Sequence, residues 1–135
     1  MAKPPVTANL HWLGDLRFRA TSGSHEWTID GKNAAGPSPV DALAMALAGC
    51  MAIDVADIVV KGRHDLSSLD ARINGERRED SPRYFVRFTL HFVVTGEVPA
   101  HAVERAIQLS RDKYCSVWHT MRPDTELHTS FEVNP

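Results

Sequence analysis

Two cysteines are the residues of this sequence best suited to chemistry. Cys50 and Cys115 lie 65 positions apart in the chain, and the reactivity of each depends on how readily its thiolate forms. Cys115 begins a short predicted helix, where free backbone N–H groups favour the thiolate. Cys50 has no helix terminus of its own, so its activation would need a cation such as Arg17 or Arg19. Asp54, one helical turn after Cys50, would oppose ionisation if it lies close.

The simplest alternative is that each cysteine is a small buried hydrophobic residue without chemistry of its own. No C-x-x-C or H-E-x-x-H motif accompanies either cysteine, so the spacing predicts no metal site. A glycine-rich phosphate loop and a nucleophile elbow are also absent from the sequence. We therefore expect no bound cofactor, and a cysteine pair remains as the candidate site.

The composition bounds the class of protein. A chain of 135 residues is predicted to form a single domain over residues 1–135. Its net charge of −2 provides no basic surface for nucleic acid and no polybasic patch for a membrane. The first ten residues lack a continuous apolar segment, so we expect no signal peptide. Two cysteines make no secreted disulfide framework, and a cytoplasmic location is expected.

The element that must position Cys50 is a helix predicted over residues 39–60. This stretch is apolar or small at nearly every position, with Ser38 as a candidate N-cap and Gly62 as a candidate stop. Its three aspartates would each cost about 2.5–3.5 kcal/mol at bilayer depth, which argues against a membrane span. We interpret it as the central core helix of a soluble protein.

The remaining elements are predicted from hydrophobic periodicity. Short strands are expected at residues 9–13, 16–20 and 26–30 before the central helix, and at 69–76, 84–94 and 126–133 after it. In the strand 84–94, every second residue from Tyr84 to Val94 is predicted to face the core. A second helix is expected over 99–114, followed by a helical turn over 115–121. This order predicts an α+β fold built on antiparallel sheet.

A helix that is apolar on nearly all sides needs cover on nearly all sides, and one modest sheet covers only one of them. A second copy of the chain is the economical solution. The sequence therefore predicts an obligate homodimer in which the central helices lie between two sheets.

Three motifs resemble one known family. The segment GPSPVDALAMALAGC and the later segment LSRDKYCSV resemble the OsmC family, which includes osmotically inducible protein C and the organic hydroperoxide resistance proteins. The N-terminal WLGDLRFR and the order of the strands agree, so the resemblance extends over essentially the whole chain. It implies an OsmC/Ohr-like α+β fold, with antiparallel sheets around long central helices in an intertwined homodimer.

The resemblance also implies an activity. The better-known members are thiol peroxidases that reduce organic hydroperoxides, and the match gives Cys50 the role of attacking the peroxide and Cys115 that of resolving the sulfenic acid. It assigns Arg17, or alternatively Arg19, to activation of the thiolate. A dithiol, such as a lipoylated protein or a thioredoxin-like protein, would restore the thiols. The alternative is a non-enzymatic dimer that senses redox state or binds a small apolar ligand.

The sequence departs from the peroxidases at one position. They carry a glutamate, which holds the arginine, immediately after the proline that begins the helix. Val40 occupies that position here, and Asp41 is the nearest carboxylate along the chain. This pattern resembles the OsmC-like branch rather than the hydroperoxide resistance branch proper.

Overall fold

The computed structural model describes residues 3–135, which divide into two compact units. The first unit extends to Leu43 and the second comprises Ala44–Pro135, so the boundary falls within the central helix. The assignment of residues 1–135 to one domain stays a prediction. The elements on both sides of the boundary confirm the predicted α+β class.

The first unit contains a three-stranded antiparallel sheet. Its strands β1 (Asn9–Gly14), β2 (Arg17–Ser22) and β3 (His25–Asp30) are neighbours in that order. The turn between β1 and β2 needs left-handed backbone, with φ of 107° at Gly14 and 51° at Asp15. Glycine and aspartate are residue types that accept such angles. The residues at this turn therefore suit the tight hairpin that joins β1 to β2.

The loop after β3 is held in place by the buried carboxylate of Asp30. Its two oxygens accept the N–H groups of Lys32 and Ala35, each at 2.9 Å. Further along, a Cβ at Gly36 would overlap the carbonyl oxygen of Thr28, so only glycine fits there. This close packing fixes the path of the chain into the helix that follows.

Asp30 should make the stability of the protein depend on acid. Hydrogen bonds from Ala35 and Lys32 keep its pKa below the usual 3.8, and the nearby Arg17 acts in the same direction. A depressed pKa contributes stability that is present above the unfolded-state value of about 3.9 and is lost as the pH falls through the folded-state value. Asp30→Asn should therefore lower the urea midpoint at pH 7, and the difference from wild type should shrink below about pH 3.9.

The matched control for that prediction is Asp15→Asn. Asp15 pairs with Lys32 at 2.8 Å on the exposed surface, where such pairs contribute little. Equal urea midpoints for Asp30→Asn and wild type at pH 7 would contradict the role given to the buried carboxylate.

The central helix, α1, comprises Pro39–Lys61. The Ser38 hydroxyl accepts the N–H of Asp41 at 3.2 Å, which confirms the predicted N-cap. Within one chain, α1 buries a single stripe formed by every fourth residue, namely Leu47, Met51, Val55 and Val59. Large apolar residues elsewhere on the helix are exposed, among them Met45, Ile53 and Val60 on its other faces and Leu43 one turn before the stripe. The expected cover on nearly all sides is therefore not supplied by one chain.

By length and composition, α1 is also the one helix among residues 3–135 that would be long and apolar enough to cross a membrane. The core helix of a soluble protein meets the same criterion. This property is weak evidence for a membrane span.

The second unit contains a mixed three-stranded sheet. Its strands are β4 (Asp65–Arg77), β5 (Phe85–Glu97) and β6 (Glu126–Asn134), with β5 in the centre. β5 runs antiparallel to β4 but parallel to β6, so this sheet is not wholly antiparallel. A parallel neighbour needs a crossover connection, which is supplied by α2 (Ala100–Leu109), a π-helical turn (Ser110–Tyr114) and α3 (Ser116–Thr120).

The core of the second unit follows the predicted alternation in β5, with one correction. Fully buried side chains recur at every second position, namely Phe88, Leu90, Phe92 and Val94. At the start of the strand, however, Phe85 is buried and Val86 is exposed, the reverse of the prediction. The pairing with β4 shifts at this point, where Glu76 faces Arg87 and Arg77 faces Phe85. This β-bulge leaves Val86 as the extra residue and inverts the faces before it.

Candidate functional site

The first part of the site lies on α1. Cys50 and Asp54 are both half-buried and are four residues apart, a spacing that places two side chains on the same face of a helix. Their position within a 23-residue helix fixes the backbone on which both are carried.

The second part of the site follows the π-helical turn. The N–H of Cys115 donates to the carbonyl oxygen of Ser110, five residues earlier, at 2.8 Å, which is the hydrogen bond that defines a π-helix. Cys115 then serves as the N-cap of α3, and its sulfur accepts the N–H of Trp118 at 3.3 Å. Cys115 is completely buried. Its sulfur therefore has a defined position.

The fold brings these two parts together. The sulfurs of Cys50 and Cys115 and a carboxylate oxygen of Asp54 all lie within 4.8 Å of one another. Both cysteines are free thiols. The buried hydroxyl of Ser110 donates to Asp54 Oδ2 at 2.8 Å, so the carboxylate is anchored to the π-helical turn. The site thus contains two thiols and a held carboxylate.

Burial raises the pKa of the Cys115 thiol to about 12, from its ordinary 9.0. The hydrogen bond from Trp118 lowers this pKa, while the neighbouring Cys50 and the charge of Asp54 raise it further. The prediction that the start of α3 would favour the thiolate is therefore wrong as a net effect. The helix N–H is present, but removal of the sulfur from water outweighs it.

Asp54→Asn is expected to lower the pKa of Cys115. The amide keeps an oxygen that accepts the Ser110 hydroxyl but removes the negative charge that opposes a second anion. We expect a few-fold faster alkylation of Cys115 at mildly alkaline pH, followed by mass spectrometry of the labelled peptide.

The matched control is Asp57→Asn on the same helix. Asp57 pairs with the exposed Lys61 at 3.0 Å, and its loss should leave the alkylation of Cys115 unchanged. The same pH profile in Asp54→Asn as in wild type would mean that the carboxylate does not act on this thiol.

The two arginines proposed for the site belong to the first unit. Arg17 Nε lies 3.4 Å from Asp30 Oδ2, and the two residues face each other across β2 and β3. Arg17 therefore has a carboxylate partner although Val40 replaces the glutamate at the start of α1. The assignment of Arg17, or of Arg19, to the Cys50 thiolate stays a prediction.

Sequence reasoning missed Asp30 and Ser110. Pairing of β2 with β3 about their short turn would have placed Asp30 opposite Arg17. Ser110 follows Ile107 by three residues in the second predicted helix, a spacing that indicates the same face. A buried hydroxyl needs a hydrogen-bond partner, and that signal points to a polar neighbour such as Asp54. His119, one turn after Cys115, donates to the carbonyl oxygen of Arg111 at 2.9 Å.

Taken together, the fold and the site define an α+β protein with two neighbouring free thiols, one half-buried on a long apolar helix and one buried at the start of α3. A family profile described as OsmC-like protein matches residues 30–130. The chain belongs to this family, as its sequence motifs indicated.

Known relatives agree with this assignment over the whole chain. The chain is 40% identical over 131 residues to Protein YhfA of Escherichia coli strain K12, covering 95% of this chain and 98% of that protein. A hypothetical protein from Aquifex aeolicus VF5 has a similar crystal structure, with a TM-score of 0.91, 29% identity and 98% coverage of each chain.

A structure described as an organic hydroperoxide resistance protein OsmC, from Legionella pneumophila, shares the fold at lower identity. Its TM-score is 0.73 at 14% identity, with 98% of this chain and 100% of that chain covered. These neighbours confirm the OsmC/Ohr-like fold.

Proposed function

We propose that this protein is a thiol-dependent peroxidase that reduces organic hydroperoxides, with Cys50 as the attacking cysteine and Cys115 as the resolving one. The observation that carries the proposal is the proximity of two free thiols, whose sulfurs lie within 4.8 Å of each other although 65 positions separate them in sequence. Membership of the OsmC-like family and the fold shared with an organic hydroperoxide resistance protein support a redox role and suggest the substrate class.

The unequal exposure of the two thiols supports the division of roles. Cys50 is half-buried and Cys115 is fully buried, so a peroxide from solvent reaches Cys50 first. The Cys50 thiolate attacks the terminal oxygen of the hydroperoxide. A sulfur–oxygen bond forms, the oxygen–oxygen bond breaks, and the alkoxide leaves as the alcohol after taking a proton from water. Cys50 is left as a sulfenic acid.

The second step starts from the thiol form of Cys115, because its raised pKa keeps it protonated at neutral pH, and the proton must leave as the sulfur attacks. Its sulfur bonds to the oxidised sulfur of Cys50, and the hydroxyl of the sulfenic acid leaves as water with the thiol proton. A disulfide needs an S–S distance of about 2.05 Å, so the two side chains must approach further. A dithiol, such as a lipoylated or thioredoxin-like protein, then reduces the disulfide by thiol exchange.

The proposal assigns to Arg17 the role of favouring the Cys50 thiolate. Its pairing with the buried Asp30 supplies the carboxylate that the family peroxidases provide from the start of the helix. In this proposal, Asp30 takes over the role of that glutamate, and neither Val40 nor Asp41 is required for it.

The proposal includes a homodimer in the cytoplasm. Ile53 on α1 is 69% exposed in one chain, and it is accompanied by the other exposed apolar residues of that helix. Such a surface is typical of an interface between subunits. The purified protein should sediment at twice the chain mass and should not form a folded monomer on dilution. A stable folded monomer would overturn this part of the proposal.

The activity is tested by hydroperoxide consumption. Purified protein with a dithiol reductant should consume an organic hydroperoxide, and it should do so catalytically rather than once per chain. Cys50→Ser should lose at least on the order of 10³-fold of the rate, because the nucleophile is gone. Consumption equal to that of Cys50→Ser, across several hydroperoxides and dithiols, would refute the function.

A second candidate is a non-enzymatic dimer that binds a small apolar ligand or senses redox state. It is favoured by a cavity of about 370 Å³ in the first unit, lined in part by Ala8, Ala20 and Trp27. A volume of this size suits a small ligand. Quenching of tryptophan fluorescence by an apolar ligand, in a protein that shows no peroxide turnover, would favour this candidate.

A further inference from the structure

Three side chains with metal-binding atoms converge in the second unit. The two sulfurs and the Asp54 carboxylate lie within 4.8 Å of one another. A tetrahedral ion with a metal–sulfur distance of about 2.3 Å places neighbouring ligand atoms about 3.5–3.8 Å apart. Because no pair of these atoms is more than 4.8 Å apart, any pair needs to approach by at most roughly 1 Å, which rotation of side chains can supply. The spacing of the cysteines in the sequence predicted no metal site, but in the folded chain their sulfurs are close enough for one.

The donor set indicates which ion would bind. Two sulfurs and one carboxylate suit a borderline or soft divalent cation such as Zn²⁺ or Cd²⁺, whereas Mg²⁺ and Ca²⁺ prefer oxygen ligands alone. Asp54 also has the hydrogen-bond partner that carboxylate ligands of metal ions usually have. The buried Ser110 donates to its Oδ2, which leaves Oδ1 for an ion and fixes the orientation of the group.

We propose that the reduced cysteine pair and Asp54 form a binding site for a thiophilic divalent cation of the Zn²⁺ class, with a fourth position open to water. On binding, each thiol gives its proton to solvent and forms a metal–sulfur bond, and no electrons are transferred. A disulfide between the same sulfurs would remove both soft ligands. It follows, resting on the proposed function, that metal binding blocks peroxide reduction and that oxidation releases the ion.

The test uses Cd²⁺ alone as the probe. Reduced protein, freed of metal with a chelator, is titrated without oxygen while the thiolate-to-cadmium charge-transfer absorption is followed. The band should saturate at one Cd²⁺ per chain. Cys50→Ser and Cys115→Ser should each weaken binding by at least on the order of 100-fold, since one of two sulfurs is lost, and Asp54→Asn by on the order of 10- to 100-fold.

Asp57→Asn is the matched control, because it removes a carboxylate from the same helix outside the cluster and should leave the affinity unchanged. A second measurement needs no variant, and so it still tests the site if a variant fails to fold. In the wild type, Zn²⁺ should protect both thiols from alkylation, and a chelator should remove the protection. The proposed metal site would be refuted if the cadmium band were absent, or if both cysteine variants bound Cd²⁺ with the affinity of the wild type.

Peroxide consumption is measured separately, in the presence of chelator. A cadmium band without peroxide turnover would refute the proposed function and leave the metal site intact. Peroxide turnover without a cadmium band would do the reverse.

Discussion

The Cys115→Ser variant, treated with one equivalent of an organic hydroperoxide, is expected to carry a sulfenic acid at Cys50 and no disulfide. The wild type under the same conditions should lose two hydrogens per chain as both thiols become one intramolecular disulfide. Serine accepts the N–H of Trp118 in place of the sulfur, as a good N-cap, so the fold around the site is kept. Intact-mass spectrometry distinguishes these products.

Excess peroxide sharpens the comparison. Without the resolving thiol, Cys50 should proceed to sulfinic acid, and turnover with a dithiol should fall by on the order of 10-fold or more, because the intermediate must wait for a thiol from outside. Ser116→Ala, at the exposed neighbour of Cys115, is the matched control and should form the disulfide normally. Two free thiols surviving excess hydroperoxide in the wild type would contradict the pairing.

Phe88→Ala should cost about 3–5 kcal/mol of the free energy of unfolding. Phe88 is completely buried on β5, the central strand of the second sheet, and its ring lies 4.6 Å from that of Phe85. Removing the ring loses the free energy gained by burying it away from water, and it leaves a cavity that a rigid sheet closes poorly. Urea denaturation at matched protein concentration would measure the loss as a lower midpoint with an unchanged slope.

Val86→Ala on the same strand provides the comparison. Val86 is 38% exposed because the β-bulge turns it away from the core, and its loss should cost well under about 1 kcal/mol. Similar costs for the two variants would show that the bulge does not separate the two faces as described.

The strands and helices were predictable wherever one local pattern controls them. Alternation located β5, and the continuous apolar run flanked by Ser38 and Gly62 located α1 to within one residue. Alternation failed at Val86, because a bulge arises from pairing with β4 and leaves no mark in one strand alone. The parallel pairing of β6 with β5 likewise depends on the path of the helical connection between them, and hydrophobic periodicity contains no information about that path.

The site was predictable in part for a similar reason. The resemblance to the OsmC family singled out Cys50 and Cys115, and the fold brings them together. Their electrostatics were not predictable from position in a helix, because the burial that raises the pKa of Cys115 is a property of the packed chain. The partnership of Ser110 with Asp54 joins residues 56 positions apart, beyond the reach of any local pattern.

The π-helical turn has a consequence for how this site can be gained or lost. A π-helix holds one more residue per hydrogen-bonded ring than an α-helix, and each residue of an α-helix advances the chain by about 100°. Deletion of a single codon between Ser110 and Cys115 would turn the second cysteine by about that angle away from the first. Both cysteines would remain in the gene. Within such a family, an alignment that counts cysteines would then include proteins in which the pair no longer meets.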